Sequence, residues 1–509
     1  MSRLNVYARN LGAVWVGYAV NLAVMFFMSP FVVHSLGDAA YGIWTLMISI
    51  TGYLGLAELG MGAALGRHIN FHLGRGEVGK VNGVISTALA FFAACGVPLL
   101  GIGLLLTVSL GSVFTKIPAE LLGPARWAIL ILVIDLWLSF FRASFVQVLT
   151  AHERFDISNA IQIGFILARA VLTLAALSLG RGLLELALIE VACGTVVLAA
   201  TALAARRVFP ALRVGRAWIG RDRFRELFHF GFWSFVGNVA GRLLYWTDSI
   251  VIALLLGPAD VTAFAIAAML IFYARTIVHQ STAVLGPQVI QHCAASDWPA
   301  LQRLFSWGTT FAMTLAIPIL VGMIAFGRPF LVLWMGPAYE GSYPVLAILA
   351  CSQIVALAGS VIGTWVFSGL NRVRLGASVT LVQGLCNLAC SVALVLAGLG
   401  VVGVALGSLA PRVIFSLLCM GMAMRWIGLG IPEFVRRFAS RWVLLAGGFA
   451  VICAAVNQLP LPFGWAALVL KVALSVLIYL PAAWLVVPEP DRRRIWRTTF
   501  LSKIRRAAA

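Results

Sequence analysis

The sequence predicts an all-α polytopic membrane protein of about fourteen transmembrane helices, arranged as two parallel six-helix repeat lobes plus two C-terminal helices. Three observations predict it. The chain of 509 residues is 61% hydrophobic and 11% charged, whereas a soluble chain carries about 25% charged residues. Apolar runs long enough to cross a ~30 Å hydrocarbon layer recur along the whole length. A gapless self-similarity at an offset of 220 residues relates the first half to the second.

The spans fall near 10–34, 39–66, 82–112, 121–150, 157–179, 183–204, 229–256, 260–290, 303–327, 342–368, 374–397, 402–426, 441–458 and 462–487. No soluble domain of useful size fits between them. With the N-terminus inside, the cytoplasmic segments hold 27 of the 37 Lys and Arg residues and the outer ones hold 4, namely Lys116, Arg126, Arg181 and Arg328. This positive-inside bias places both termini in the cytoplasm. Arg206 to Arg225, with seven Arg, and the tail Arg492 to Arg506 contribute most and would attract anionic lipid headgroups. The net charge of +19 is therefore a topology signal and not a nucleic-acid footprint.

The first apolar run is too long for the core of a cleavable signal peptide and lacks a small-residue cleavage site. Eight Cys are scattered, seven of them inside spans. Neither disulfides nor zinc or other metals are expected. No Gly-rich phosphate loop ending in Lys-Ser or Lys-Thr is present, since Gly79-Lys80 is followed by Val81, and no cofactor is expected.

At the 220-residue offset Leu36-Gly37 recurs as Leu256-Gly257, Leu65-Gly66 as Leu285-Gly286, and His72 as His292. Six spans separate the copies, an even number, so both enter the membrane from the same side as parallel repeats. The expected organisation is a lobe over 1–205, an Arg-rich cytoplasmic linker over 206–225, a second lobe over 226–426, and two further helices with a basic cytoplasmic tail over 427–509. Transporters built from repeats place the substrate site at the membrane midplane between lobes.

The remaining six basic residues, Arg142, Arg169, Arg242, Arg275, Arg412 and Lys471, lie near the middle of spans. Each costs about 2.5–3.5 kcal/mol on insertion-based scales. Positions three, four and seven apart share a helix face. Arg242 shares its face with Asn238, Tyr245 and Ser249; Arg275 with His279 and Thr282; Arg169 with Gln162 and Thr173. Arg412 shares its face with Ser408 and Ser416, and Arg142 with Asp135 and Ser139. Arg residues that merely snorkel need no polar neighbours along a stripe. These stripes point to an anion-attracting cavity lined by Arg242, Arg275, Arg169, Arg412, Arg142, Asn238, Tyr245 and His279. The competing reading is that Arg neutralises buried carboxylates, with Asp135–Arg142 the nearest such pair. Lys471, in the last span, suits snorkelling. Glu58, Asp135 and Asp248 are candidates to carry a coupling ion.

Leu36-Gly37-Asp38, Tyr41-Gly42-Ile43-Trp44 and the run Gly52-Tyr53-Leu54-Gly55-Leu56-Ala57-Glu58-Leu59-Gly60-Met61-Gly62 resemble the opening helices of polysaccharide exporters. These are the lipid-linked oligosaccharide (O-antigen-type) flippases of the multidrug/oligosaccharidyl-lipid/polysaccharide exporter superfamily. Leu333-Trp334-Met335-Gly336 and Gly369-Leu370-Asn371-Arg372 fit the same pattern. The resemblance implies movement of a polyprenyl-pyrophosphate-linked glycan from the inner to the outer leaflet by alternating access, with basic residues in the cavity. It also implies a role in cell-surface polysaccharide biosynthesis and, as partners, a polysaccharide polymerase or chain-length regulator. The chain departs from two relatives of that family. Residues 10–34 hold neither the acid common in the first helix of drug exporters nor the Arg of lipid II flippases.

The alternatives are a multidrug/cation antiporter of the same superfamily and a membrane-embedded glycosyltransferase or polymerase. Cavity Arg repel cationic drugs. The outer loops are short, the longest near 111–120 and 328–341, with only Glu120 and Glu340 acidic, which leaves little for an enzyme to use. A non-transporting scaffold has no reason to retain mid-membrane charges.

Overall fold

In lipid every backbone N–H and C=O must find its partner within the protein, so apolar spans fold as helices. The computed structural model describes residues 3–486, and every regular element among them is helical. The expected cytoplasmic tail Arg492–Arg506 lies outside the described residues. The chain divides into two compact units, Met1–Thr262 and Ala263–Ala509.

The first unit contains α1 (Arg3–Leu36), α2 (Asp38–Leu54), α3 (Met61–Gly74), α4 (Val78–Val113), α5 (Ala119–Ala151), α6 (Phe155–Ser178), α7 (Leu183–Val208), α8 (Arg221–Tyr245) and α9 (Thr247–Leu255). Helix α5 is central: it packs most extensively on α7 and also on α4, while α1 lies along α6. The core is built from α3, α4 and α5, with Met61, Leu65, Ile69, Val84, Ile85, Phe92 and Phe140 buried together. Val97 and Val108 of α4 are 78% and 76% exposed, the lipid-facing side of the same helix. At 1.5 Å per residue the 36-residue α4 is about 54 Å long, so it extends well beyond a ~30 Å hydrocarbon layer.

Helix α10 (Pro258–Thr282) crosses the boundary and lies mostly in the second unit, which continues with α11 (Gly286–Ala294), α12 (Trp298–Met335), α13 (Tyr343–Ser360), α14 (Gly363–Gly369), α15 (Val373–Leu394), α16 (Gly400–Trp426), α17 (Ile431–Phe434), α18 (Ser440–Asn457) and α19 (Trp465–Val486). Helix α16 packs on both α13 and α15, and α12 packs on α13, α18 and α19. Tyr479 of α19 is buried and donates to the Thr314 carbonyl on α12 at 2.9 Å.

Twelve segments among the described residues are long and apolar enough to cross a membrane. One of them, Val373–Trp426, contains the two successive helices α15 and α16. The expected span 229–256 falls on α8, which carries charge along its first turns, and the nine-residue α9. This layout is compatible with fourteen crossings.

The repeat extends beyond the few identities that signal it. Shifted by 220, the starts of α2 and α4 at Asp38 and Val78 coincide with those of α10 and α12 at Pro258 and Trp298, and the end of α3 at Gly74 with that of α11 at Ala294. Gly37 and Gly257 both take positive φ at the corresponding joints, 78° and 136°. Gly76 and Ser296 take φ of 71° and 53° in equivalent turns. Farther along, Glu153 and Asn371, and then Gly180 and Gly398, repeat the left-handed turn at a spacing of 218. The register thus slips by two residues after the third long helix, which a gapless comparison of residues misses.

One expectation needs correcting in detail. The span 39–66 is not continuous. After α2 a single 3-10 turn, Gly55–Glu58, is followed by Leu59 and Gly60, both left-handed, before α3 begins. The second copy is also broken, at the 3-10 turn Ala283–Leu285 between α10 and α11.

Candidate substrate site

The break between α2 and α3 allows close approach to α8. A Cβ on Gly60 would lie 2.1 Å from the Gly231 carbonyl oxygen, and one on Gly52 would lie 2.5 Å from the Trp246 ring. Both positions therefore require glycine, and Gly60 requires it again for its φ of 73°. The motif residues that seem interchangeable as small side chains thus have separate jobs.

That approach assembles a polar group around Arg242. The Tyr53 hydroxyl donates to the Arg242 carbonyl at 3.2 Å and shares a short hydrogen bond with Thr247 Oγ1. The Arg242 guanidinium carbon lies 4.9 Å from the Trp246 ring centroid, a cation–π contact. Glu58 is near enough for its charge to act on Arg242. Glu58 Oε1 also accepts from the Gly62 amide at 2.8 Å, fixing the first turn of α3. Arg242 itself is half-buried and, among the described residues, has no carboxylate within ion-pair distance. Its fork of five N–H donors suits a doubly bonded anion.

A second charged group is assembled by α5, α6 and α7. Arg169 on α6 donates to Glu190 on α7 at 2.9 Å. Arg142 on α5 lies 4.0 Å from Asp135 and donates to the Gly194 carbonyl at 3.4 Å. A Cβ on Gly194 would meet Asp135 Oδ1 at 2.2 Å, so glycine there opens the space that the carboxylate fills. Two guanidiniums thus face two carboxylates, hydrogen-bonded in Arg169–Glu190 and at longer range in Arg142–Asp135.

The other expected residues are placed separately. Asn238 and Tyr245 are exposed on α8, and Asp248 is buried at the start of α9, where its charge acts on Tyr53. In the second unit Arg275 lies over the Phe272 ring at 5.6 Å, and His279, one turn on, is exposed. Arg412 is 7% exposed between α16 and α13, with Nη1 3.5 Å from Ser352 Oγ. Lys471 donates to the Asn457 carbonyl at 2.9 Å and caps the end of α18.

Residues 7–291, more than half of the chain, match the family described as polysaccharide biosynthesis protein. The chain belongs to that family. The resemblance read from its opening helices is thereby borne out. Relatives include the uncharacterized membrane protein EpsK of Bacillus subtilis, 24% identical over 76% of this chain and 76% of that one. The putative O-antigen transporter of Shigella flexneri is 24% identical over 65% of this chain and 78% of its own length. Among solved structures, an inward-facing multidrug resistance transporter of the MATE family superimposes with a TM-score of 0.69, at 15% identity over 84% of this chain and 95% of the other. The lipid II flippase MurJ, inward closed, gives 0.66 at 13% identity over 93% and 97%. These two likenesses establish a shared multi-span helical fold.

Within this polysaccharide biosynthesis protein the family match covers Glu58, Asp135, Arg142, Arg169, Arg242 and Arg275 but stops short of Arg412. Sequence reasoning passed over Tyr53, Trp246 and Thr247, which build the Arg242 group. Trp246 follows Arg242 by four residues, one helical turn, and that spacing was its available signal. Tyr53 and Thr247 are joined only by the fold, 194 residues apart.

Proposed function

We propose that this protein is a flippase that carries a polyprenyl-pyrophosphate-linked oligosaccharide from the inner to the outer leaflet of the bacterial plasma membrane. The observation that carries the reading is Arg242, a half-buried guanidinium lying over the Trp246 ring and without a carboxylate at ion-pair distance among the described residues. Arg stays charged at every physiological pH and binds phosphate oxygens through two parallel N–H groups. A pyrophosphate tolerates hydrocarbon no better than Arg does, so each compensates the cost of the other. The exposed Tyr245 offers an aromatic face to a sugar ring. The polyprenyl tail remains in lipid while the headgroup crosses.

Within the second unit Arg275, beside His279, is the residue proposed to attract the anion, whereas Arg169 and Arg142, which face carboxylates, and the enclosed Arg412 are proposed to serve the packing of their helices. Glu58 is the proposed carrier of a coupling proton, because its carboxylate lies within the field of Arg242 and changes there would be felt by the bound anion. Any such coupling draws on the membrane potential, about 2.3 kcal/mol per charge per 100 mV. The proposed orientation has both termini in the cytoplasm.

The test is deletion of the gene with complementation. Loss of surface polysaccharide, with lipid-linked units stranded in the inner leaflet, supports the flippase. Unchanged polysaccharide with raised drug sensitivity would instead establish the multidrug antiporter, the reading favoured by the fold likeness to MATE transporters.

A further inference from the structure

The sequence led to no expectation of a metal, yet the cytoplasmic end of α3 presents two histidines to α8. His68 and His72 are four residues apart, one turn on one face of α3, and both are 7% exposed. Their rings lie nearly parallel, 29° apart, with centroids separated by 6.3 Å. Glu226, on the second turn of α8, brings its Oε1 to 3.3 Å from His68 Nδ1 and is itself exposed. One ligand atom from each of the three lies within 4.8 Å of the others.

Two further features suit a metal. His72 Nδ1 is held by Glu77 Oε2 at 2.7 Å. A ring that donates Nδ1–H to a carboxylate turns its Nε2 lone pair outward, the arrangement that orients histidine toward zinc. Both imidazoles are buried beside an exposed carboxylate, so the packing of the helices holds the two rings together on the side of α3 that faces Glu226.

The second repeat separates this from an ordinary turn. His292 and Asp297 reproduce the His72–Glu77 contact at 3.6 Å, with Asp297 N donating to the His292 carbonyl as Glu77 N does to that of His72. The His–carboxylate clasp is therefore a feature of both repeats. The position equivalent to His68 is Gln288, so the second histidine occurs only in the first copy. The clasp explains His72 and Glu77 but gives no reason for a buried His68 facing Glu226.

We propose that His68, His72 and Glu226 form a binding site for a divalent cation of the zinc class, with Glu77 as the positioning residue behind His72. Two imidazoles and one carboxylate are a three-ligand zinc set whose fourth position is open to water. In a tetrahedral site the ligand atoms stand about 3.4 Å apart, given bonds of ~2.0–2.1 Å. Glu226 Oε1 already stands at that distance from His68 Nδ1, and the remaining separations, all within 4.8 Å, contract when the metal binds. Bound metal ties α3 to α8, the two elements that also carry the Gly62 amide and Arg242 at their farther ends. The site stands on its own geometry and not on the transport reading.

The experiment uses the full chain without a histidine tag, in nanodiscs, freed of metal by a chelator and titrated with zinc. The expected result is one equivalent bound and a Tm that rises with zinc concentration. His68→Gln and His72→Gln each abolish both effects, Glu226→Gln weakens binding, and Glu77→Gln lowers affinity about 10–100-fold. His292→Gln in the second repeat leaves them unchanged. Cobalt(II) added to the unaltered protein should give the visible absorption of a four-coordinate site, displaced by one equivalent of zinc, which decides the matter even where a variant fails to fold. Zinc uptake no greater than that of the His68→Gln/His72→Gln double variant, or absence of the cobalt absorption, overturns the proposal.

Discussion

Two groups of buried charge within the first unit differ in one respect. Between α5, α6 and α7, Arg169 meets Glu190 at 2.9 Å and Arg142 stands 4.0 Å from Asp135. Between α2 and α8, Arg242 meets an aromatic ring, and the nearby Glu58 is already bonded to the Gly62 amide. The intramembrane position of an Arg is therefore a poor guide to its role until its partner is known. The Arg169–Glu190 pair joins α6 to α7, whereas the guanidinium over Trp246 retains donors for an incoming anion.

The sharpest way to break this contrast is to truncate Arg242. Arg242→Ala should reduce surface polysaccharide to the level of the gene deletion while the protein accumulates normally, as read by immunoblot of membranes. Arg242→Lys keeps the charge but loses the two-pronged geometry, and should recover only part of the polysaccharide.

Truncating Arg169 should do the opposite kind of damage. It leaves Glu190 without its partner, and breaking a buried pair costs about 3 kcal/mol at the low end of the usual range, the low end applying because both side chains retain some exposure. Denaturation in detergent should show that loss. Replacing both partners, Arg169→Met with Glu190→Met, should recover most of the stability and the polysaccharide together.

The backbone beneath the Arg242 group comes next. Gly60→Ala should destabilise by about 2 kcal/mol through its left-handed φ alone, with more from the Gly231 carbonyl in its way. Polysaccharide should fall with it because Tyr53 and Glu58 move relative to α8. Lys471→Ala, which removes only a cap on α18, should change the Tm slightly and leave polysaccharide intact.

The smallest expected effect is at the turn between α3 and α4. Lys80 first, and then His72, hold the Glu77 carboxyl below its ordinary range. A depressed carboxyl contributes stability that is present above its unfolded pKa and lost as pH falls through the folded one. Acid melting curves should therefore show a decline below about pH 4.3 that Glu77→Gln lacks.

The fold was largely legible because its signals are local. Apolar runs mark the helices, and Leu36-Gly37 with Leu256-Gly257 marks the repeat through a joint that needs positive φ in both copies. The break at Leu59-Gly60 was not, because it depends on a carbonyl of α8 packed against it. The same limit applies to the charges. Asp135 and Arg142 lie on one helix at seven-residue spacing, and their pairing could be anticipated. Arg169 and Glu190 lie on different helices, and no helical periodicity connects them. The polar stripe of Arg412 reads like that of Arg242, yet its side chain is nearly enclosed by α13 and α16. A stripe shows which face is polar; it does not show whether that face meets another helix or a ligand.

The most direct measurement is the leaflet distribution of the lipid-linked oligosaccharide in a gene-deletion strain complemented by two variants at matched membrane levels. These are Arg242→Ala and the paired Arg169→Met/Glu190→Met. An impermeant reagent that labels the glycan headgroup from outside should find it absent from the outer leaflet with Arg242→Ala and present with the paired variant. Full outer-leaflet labelling with Arg242→Ala would contradict the claim that this guanidinium receives the anion.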